Sequence, residues 1–149
     1  MDLGIEFREA IVRARRALSQ VTEESGAAPF RPGGWLRVEL LGHMIDSCLY
    51  NHVRFLTAAN HRSLQVNRYD QTGSVRLHGY AELTWPEVFD HWCIQQELLA
   101  RLVERIPQDA FAVECKLEDG STMRLDELIR DYLRHLEHHL RQMMDSCPA

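Results

Sequence analysis

The chain has 149 residues and a formal net charge of −5, with 45% hydrophobic and 26% charged residues. That length supports one domain with its own core, and the acidic balance argues against a general nucleic-acid binder, which shows a basic face. No apolar run approaches a membrane span, and the opening Met1-Asp2-Leu3-Gly4 lacks the basic start and apolar core of a signal peptide. Cys48, Cys93, Cys115 and Cys147 are widely spaced and form no CxxC pair. This disfavours a structural zinc knot and fits a reduced, cytoplasmic setting, with Cys48 and Cys93 as small core residues.

Four helical segments are predicted. The first runs from about Leu3 to Glu24 on a stripe that includes Ile5, Ile11, Ala14 and Leu18, and Ser25-Gly26 ends it. After a Pro- and Gly-containing linker, the second spans about Trp35 to Asn60. Its apolar residues spread beyond one face, which places it deep in a bundle or at a subunit interface. His61 to Leu83 reads as the longest irregular stretch, either a lid or pocket wall or a surface crossover between helices. Thr84-Trp85-Pro86-Glu87 opens the third helix as a capping box with proline at the first helical position, and Pro107 closes it. A β-hairpin is expected next, Phe111 to Leu117 and Thr122 to Arg124, turning at Asp119-Gly120. The last helix runs from Leu125 or Asp126 to about Met144. Together these predict an all-α four-helix bundle with at most a two-stranded excursion.

The last helix carries His135-Leu136-Glu137-His138-His139. At 100° per residue, His139 lies roughly 60° and His135 roughly 100° from the centre of the apolar stripe, whereas His138 lies roughly 160° away. His135 and His139 are thus the inward pair, one turn apart, a spacing at which two neutral imidazoles can grip one transition metal. A third ligand could come from His43, His52, His61, His78 or His91. Periodicity puts His52 in the apolar stripe of the second helix and His43 on its opposite, more polar side, and pattern alone does not choose between them.

Gly33-Gly34-Trp35, Leu41-Gly42-His43-Met44-Ile45-Asp46-Ser47 and Asn51-His52-Val53-Arg54-Phe55 resemble the second-helix signature of DinB-like proteins. Arg68-Tyr69-Asp70-Gln71 resembles the loop that follows it, and Asp131 to Leu140 the closing motif. The set runs in order from about Gly33 to Met143. The resemblance implies a single DinB-like four-helix-bundle domain over residues 1–149, with a divalent metal, nickel or zinc, held by His43, His135 and His139. It further implies activity as a metal-dependent hydrolase or as a transferase of a low-molecular-weight thiol.

Three imidazoles leave coordination positions open, the pattern of a catalytic site. A metal there could acidify a water for hydrolysis or hold a thiol as thiolate. Asp46, Ser47, Tyr69, Asp70 and Asp131 are candidates to orient the ligands or fold over the site. A small-molecule substrate and a homodimer are expected. The competing reading is a non-catalytic dimeric bundle, a stress or interaction module, that binds metal weakly or not at all.

Overall fold

The computed structural model describes residues 2–145. Helix α1 (Leu3–Leu18) starts where the Asp2 carboxylate accepts the Ile5 N–H at 3.1 Å. It stops earlier than its apolar pattern suggests. Thr22 takes an extended backbone, and its hydroxyl caps a separate turn, α2 (Glu23–Gly26), by accepting the Ser25 N–H at 3.0 Å. Such local capping competes with helix continuation. Helix α3 (Arg37–His61) is the long central helix.

The stretch expected to be irregular is structured. It holds strand β1 (Leu64–Gln65), helix α4 (Gln71–His78) and a 3₁₀ turn at Tyr80–Glu82. Asp70 caps α4 by accepting the Gly73 N–H at 2.9 Å, and Gly79 ends it in the left-handed conformation, φ 65°. Helix α5 (Trp85–Arg105) begins with the expected capping box. Thr84 Oγ1 accepts the Glu87 N–H, and Glu87 Oε2 accepts the Thr84 N–H at 2.8 Å. A second 3₁₀ turn covers Gln108–Ala112, so Phe111 lies outside the hairpin. Strands β2 (Glu114–Lys116) and β3 (Thr122–Arg124) pair antiparallel, and α6 (Leu125–Asp145) completes the chain.

The two-stranded excursion is a three-stranded sheet, because β1 pairs parallel to β2 with Leu64 opposite Cys115. Two residues are too few to show a strand period. The sheet matters for the site. The Val66 N–H donates to the Lys116 carbonyl at 2.7 Å and the Arg68 N–H to Glu118 at 2.6 Å, which ties the segment leading to Tyr69 onto the hairpin.

Helices α1, α3, α5 and α6 form the bundle, α1 and α3 each packing on α5 and α6. Phe7, Phe55, Trp92, Leu99 and Ile129 fill the core, and Trp85 and Tyr80 are buried against it. Cys48 is fully buried and Cys93 partly so; Cys115, which carried no expectation, is also buried, and Cys147 lies outside the described residues. Tyr132 Oη donates to Gln96 Oε1 at 2.8 Å, satisfying one pair of polar atoms inside the core. Among the described residues no helix is long and apolar enough to cross a membrane.

A histidine pair between two helices

Two interactions fix the ends of the helices that carry the site. Arg37, in the first turn of α3, is buried, and its guanidinium donates to the carbonyls of Met143 on α6 and Pro29 in the linker, at 3.3 and 3.0 Å. One side chain thus joins the start of α3 to the end of α6. Further along α3, Gly42 lets the Tyr80 ring lie directly on the helix. A Cβ there would sit 2.1 Å from a ring carbon.

Within this frame His43 projects from α3 to α6 and its Nε2 lies 3.2 Å from Nε2 of His139. The rings meet edge to face. His43 is only 5% exposed, whereas His52, which periodicity placed in the apolar stripe, is half-buried. Helix α3 is covered on both sides: Leu41, Ile45 and Cys48 are buried in the core as periodicity indicates, and the more polar His43 side borders a cavity toward α6. The Trp35 ring lies 5.3 Å from His43, centre to centre. Burial, reinforced by His139 and His135, pushes the His43 pKa down to about 4. Burial likewise lowers that of His139. Both rings are therefore neutral near pH 7, the form that donates a lone pair to a metal.

His139 Nδ1 donates to Gln142 Oε1 at 2.9 Å, which leaves its Nε2 as a lone pair facing His43. His43 Nδ1 is buried and has no hydrogen-bond partner. A buried orphan at a site of this kind calls for a functional reason. The donor set fits a divalent transition ion. Two nitrogens each about 2.0–2.1 Å from one ion at a tetrahedral angle lie roughly 3.3 Å apart, close to the separation found.

His135 is exposed, one turn before His139, with ring centres 6.4 Å apart. The structure thus brings two of the three histidines into contact and leaves the third beside them. Among the described residues no group of three or more His, Cys, Asp or Glu is already arranged around one point. His138 is exposed, as the wheel indicates.

His43 separates two cavities. One, about 440 Å³, lies between α3, α6 and the Val66–Tyr69 segment and is lined by His135, Ser47, Tyr69 and Asp131. The other, about 490 Å³, is lined by His139, Gln142, Trp35 and Glu39. A larger cavity of about 800 Å³ lies across α3 and contains none of these three histidines.

The candidate orienting residues separate by role. Asp46 is buried and engages another pair. Its Oδ1 accepts from Tyr80 Oη at 2.7 Å and lies 2.9 Å from His78 Nδ1. Burial pushes its carboxyl pKa up, opposed by the Tyr80 hydroxyl and by His78. The Ser47 carbonyl accepts from Asn51 at 2.8 Å. Tyr69 stacks on Tyr50 at 3.9 Å, and burial, helped by the Asp46 charge, raises its phenol to about 12, so it is a hydrogen-bond donor at neutral pH. Asp70 serves as the α4 cap. Asp131 pairs with Arg134 at 3.2 Å, one turn along α6. Glu127 accepts the Arg124 N–H, and Arg130 faces Glu6 and Asp126.

Gln142 and Arg37 escaped the sequence reading. Gln142 was legible, since it stands three residues after His139 on one helix face. Arg37 was not, because its acceptors are carbonyls of distant segments.

A helical bundle with paired imidazoles bridging two helices beside a small-molecule-sized cavity defines a class of metal-site candidates. The chain belongs to the DinB superfamily, whose model matches residues 6–143. A Bacillus pumilus protein named "Putative metal-dependent hydrolase" is 25% identical over 130 residues, 85% of this chain and 73% of that protein. In fold the chain is similar to YfiT from Bacillus subtilis, described as a probable metal-dependent hydrolase with an unusual four-helix bundle topology. The TM-score is 0.83 at 16% identity, covering 96% of this chain and 85% of YfiT. It is also similar to a mycothiol-dependent maleylpyruvate isomerase, TM-score 0.79 at 15% identity, covering 95% of this chain and 59% of that one.

Proposed function

We propose that this chain is a metal-dependent enzyme in which His43, His135 and His139 hold one divalent transition ion, nickel or zinc, with positions left for substrate. It acts as a hydrolase or as a low-molecular-weight-thiol transferase on a small molecule. The observation that carries this reading is the pair of neutral Nε2 atoms 3.2 Å apart, drawn from α3 and α6. The name of the Bacillus pumilus relative and the thiol dependence of the isomerase neighbour support it.

Such an ion, when bound, supplies a water acidified toward neutrality or a thiol held as thiolate. The chain's own residues do the rest. Gln142 holds the His139 ring with Nε2 toward the site. Trp35 shields His43 on one side. The Tyr69 hydroxyl, protonated at neutral pH, lines the cavity that His135 borders and is hydrogen-bonded to Ser47. His135 is exposed and one turn from His139, its ring centre 6.4 Å away, so its side chain has rotamer freedom on the side of the pair.

Leu49, Val53 and Leu56 form an exposed apolar strip on α3, which supports a homodimer. The site works in the cytoplasm on this reading. The test is turnover of ester and amide substrates, and of thiols with electrophiles, by protein loaded with nickel or zinc. Activity that needs both the metal and His139 supports the proposal. Metal binding without any turnover favours the non-catalytic bundle.

A further inference from the structure

Arg54 lies on α3 and borders both the histidine cavity and the larger cavity across the helix. It is half-buried. Its Nη2 donates to the Asn67 carbonyl, and its guanidinium carbon lies 5.9 Å from the centre of the Tyr50 ring, which in turn stacks on Tyr69. These contacts fix the head and use one of its five N–H donors.

No carboxylate lies within ion-pair distance of Arg54 among the described residues. The contrast with its neighbours is informative. Arg68, which lines the same cavity, pairs with Glu118, and Asp131, the acid on the cavity wall, pairs with Arg134. Arg8, Arg62, Arg124 and Arg130 also have carboxylate partners. A guanidinium keeps its charge in this setting. Arg54 is thus a cation held in place, with free donors and no protein anion, at the edge of the cavity that contains His43 and His135.

We infer that Arg54 receives the carboxylate of a small organic acid substrate, whose reacting end extends toward His43 and His135. The planar fork suits a carboxylate, which it can grip with two parallel hydrogen bonds. A phosphate dianion calls for a second unpaired cation, and Arg68, the other arginine on the cavity wall, already faces Glu118 at 3.9 Å. The Tyr69 ring and Leu128, Met123 and Val66 supply an apolar wall for the rest of the molecule. This rests on the histidine cavity being the reaction site.

The test compares acids with their amides of the same shape, benzoate with benzamide and succinate with succinamide. Binding is followed by NMR on the purified protein, as isolated and after EDTA treatment. The wild type is expected to prefer each acid by about tenfold or more, with the Arg54 Nε–H resonance shifting on binding. Arg54→Gln should lose that preference and Arg54→Lys should keep part of it, with circular dichroism showing that both fold. Equal binding of acid and amide by the wild type, an undiminished preference in Arg54→Gln, or no shift from either acid at tens of millimolar would overturn the assignment. Failure of the metal reading shows separately. Arg54-dependent acid binding in a chain that takes up no metal leaves Arg54 standing and removes only the metal.

Discussion

Nε2 of His43 and Nε2 of His139 lie 3.2 Å apart across 96 positions of sequence, each on its own helix, and both rings are held neutral by burial. Without a metal, the neutral His43 ring can donate its Nε2–H to the His139 lone pair, while His43 Nδ1 has no hydrogen-bond partner among the described residues. Burial of His43 makes the stability of the fold depend on pH, with a sign that can be measured.

The His43 pKa falls from 6.5 in the unfolded chain to about 4 in the fold. The unfolded chain therefore binds more protons between those values, and stability rises with pH there. Above pH 6.5 His43 is neutral in both states, and as pH falls toward 4 protonation of the unfolded chain progressively destabilises the fold. The melting temperature of metal-free protein should drop over that window, and His43→Gln should flatten the drop. Identical pH profiles for the two proteins would contradict the assignment.

Gln142 sets the His139 tautomer through a 2.9 Å hydrogen bond. Gln142→Leu should weaken metal affinity by about 10- to 100-fold, as loss of an outer partner of a ligand histidine does, with little change in the circular dichroism spectrum. Competitive titration against a chromogenic chelator measures it.

Gly42 is required by packing. An added methyl would meet the Tyr80 ring at 2.1 Å, and Tyr80 is itself tied to Asp46 at 2.7 Å. Gly42→Ala should destabilise by about 1–3 kcal/mol, read from urea unfolding. Tyr80→Phe keeps the ring but removes the donor to a buried carboxylate, so a similar loss is expected.

The α5 cap offers a control remote from the chemistry. Thr84→Ala should cost about 1 kcal/mol in urea unfolding and leave metal uptake unchanged.

Much of this was legible in the sequence, for identifiable reasons. The long helices announced themselves because Phe55, Leu99, Ile129 and their neighbours repeat at helical spacing over many turns. Thr84 and Glu87 marked a helix start because a capping box is local chemistry. Helix α4 was hidden because its eight residues bury little beyond Gly73 and Val75, and the signals that define it, the Asp70 cap and Gly79, read equally well as a loop. Strand β1 depends wholly on a partner about fifty positions away. Periodicity could not single out His43 because a cavity, not an apolar core, lies against its face of α3. The resemblance to DinB-like proteins pointed to His43, which the fold buries against His139. The Asp46–Tyr80–His78 cluster was out of reach, since two of its members come from the stretch that looked irregular.

The central claim is that three imidazoles from α3 and α6 share one ion. Elemental analysis of the purified wild type beside His43→Ala, His135→Ala and His139→Ala tests it most directly. One equivalent of nickel or zinc per chain in the wild type, lost in each variant, is the predicted result. Full metal occupancy in the His135→Ala protein, or none in the wild type after incubation with either ion, would contradict it.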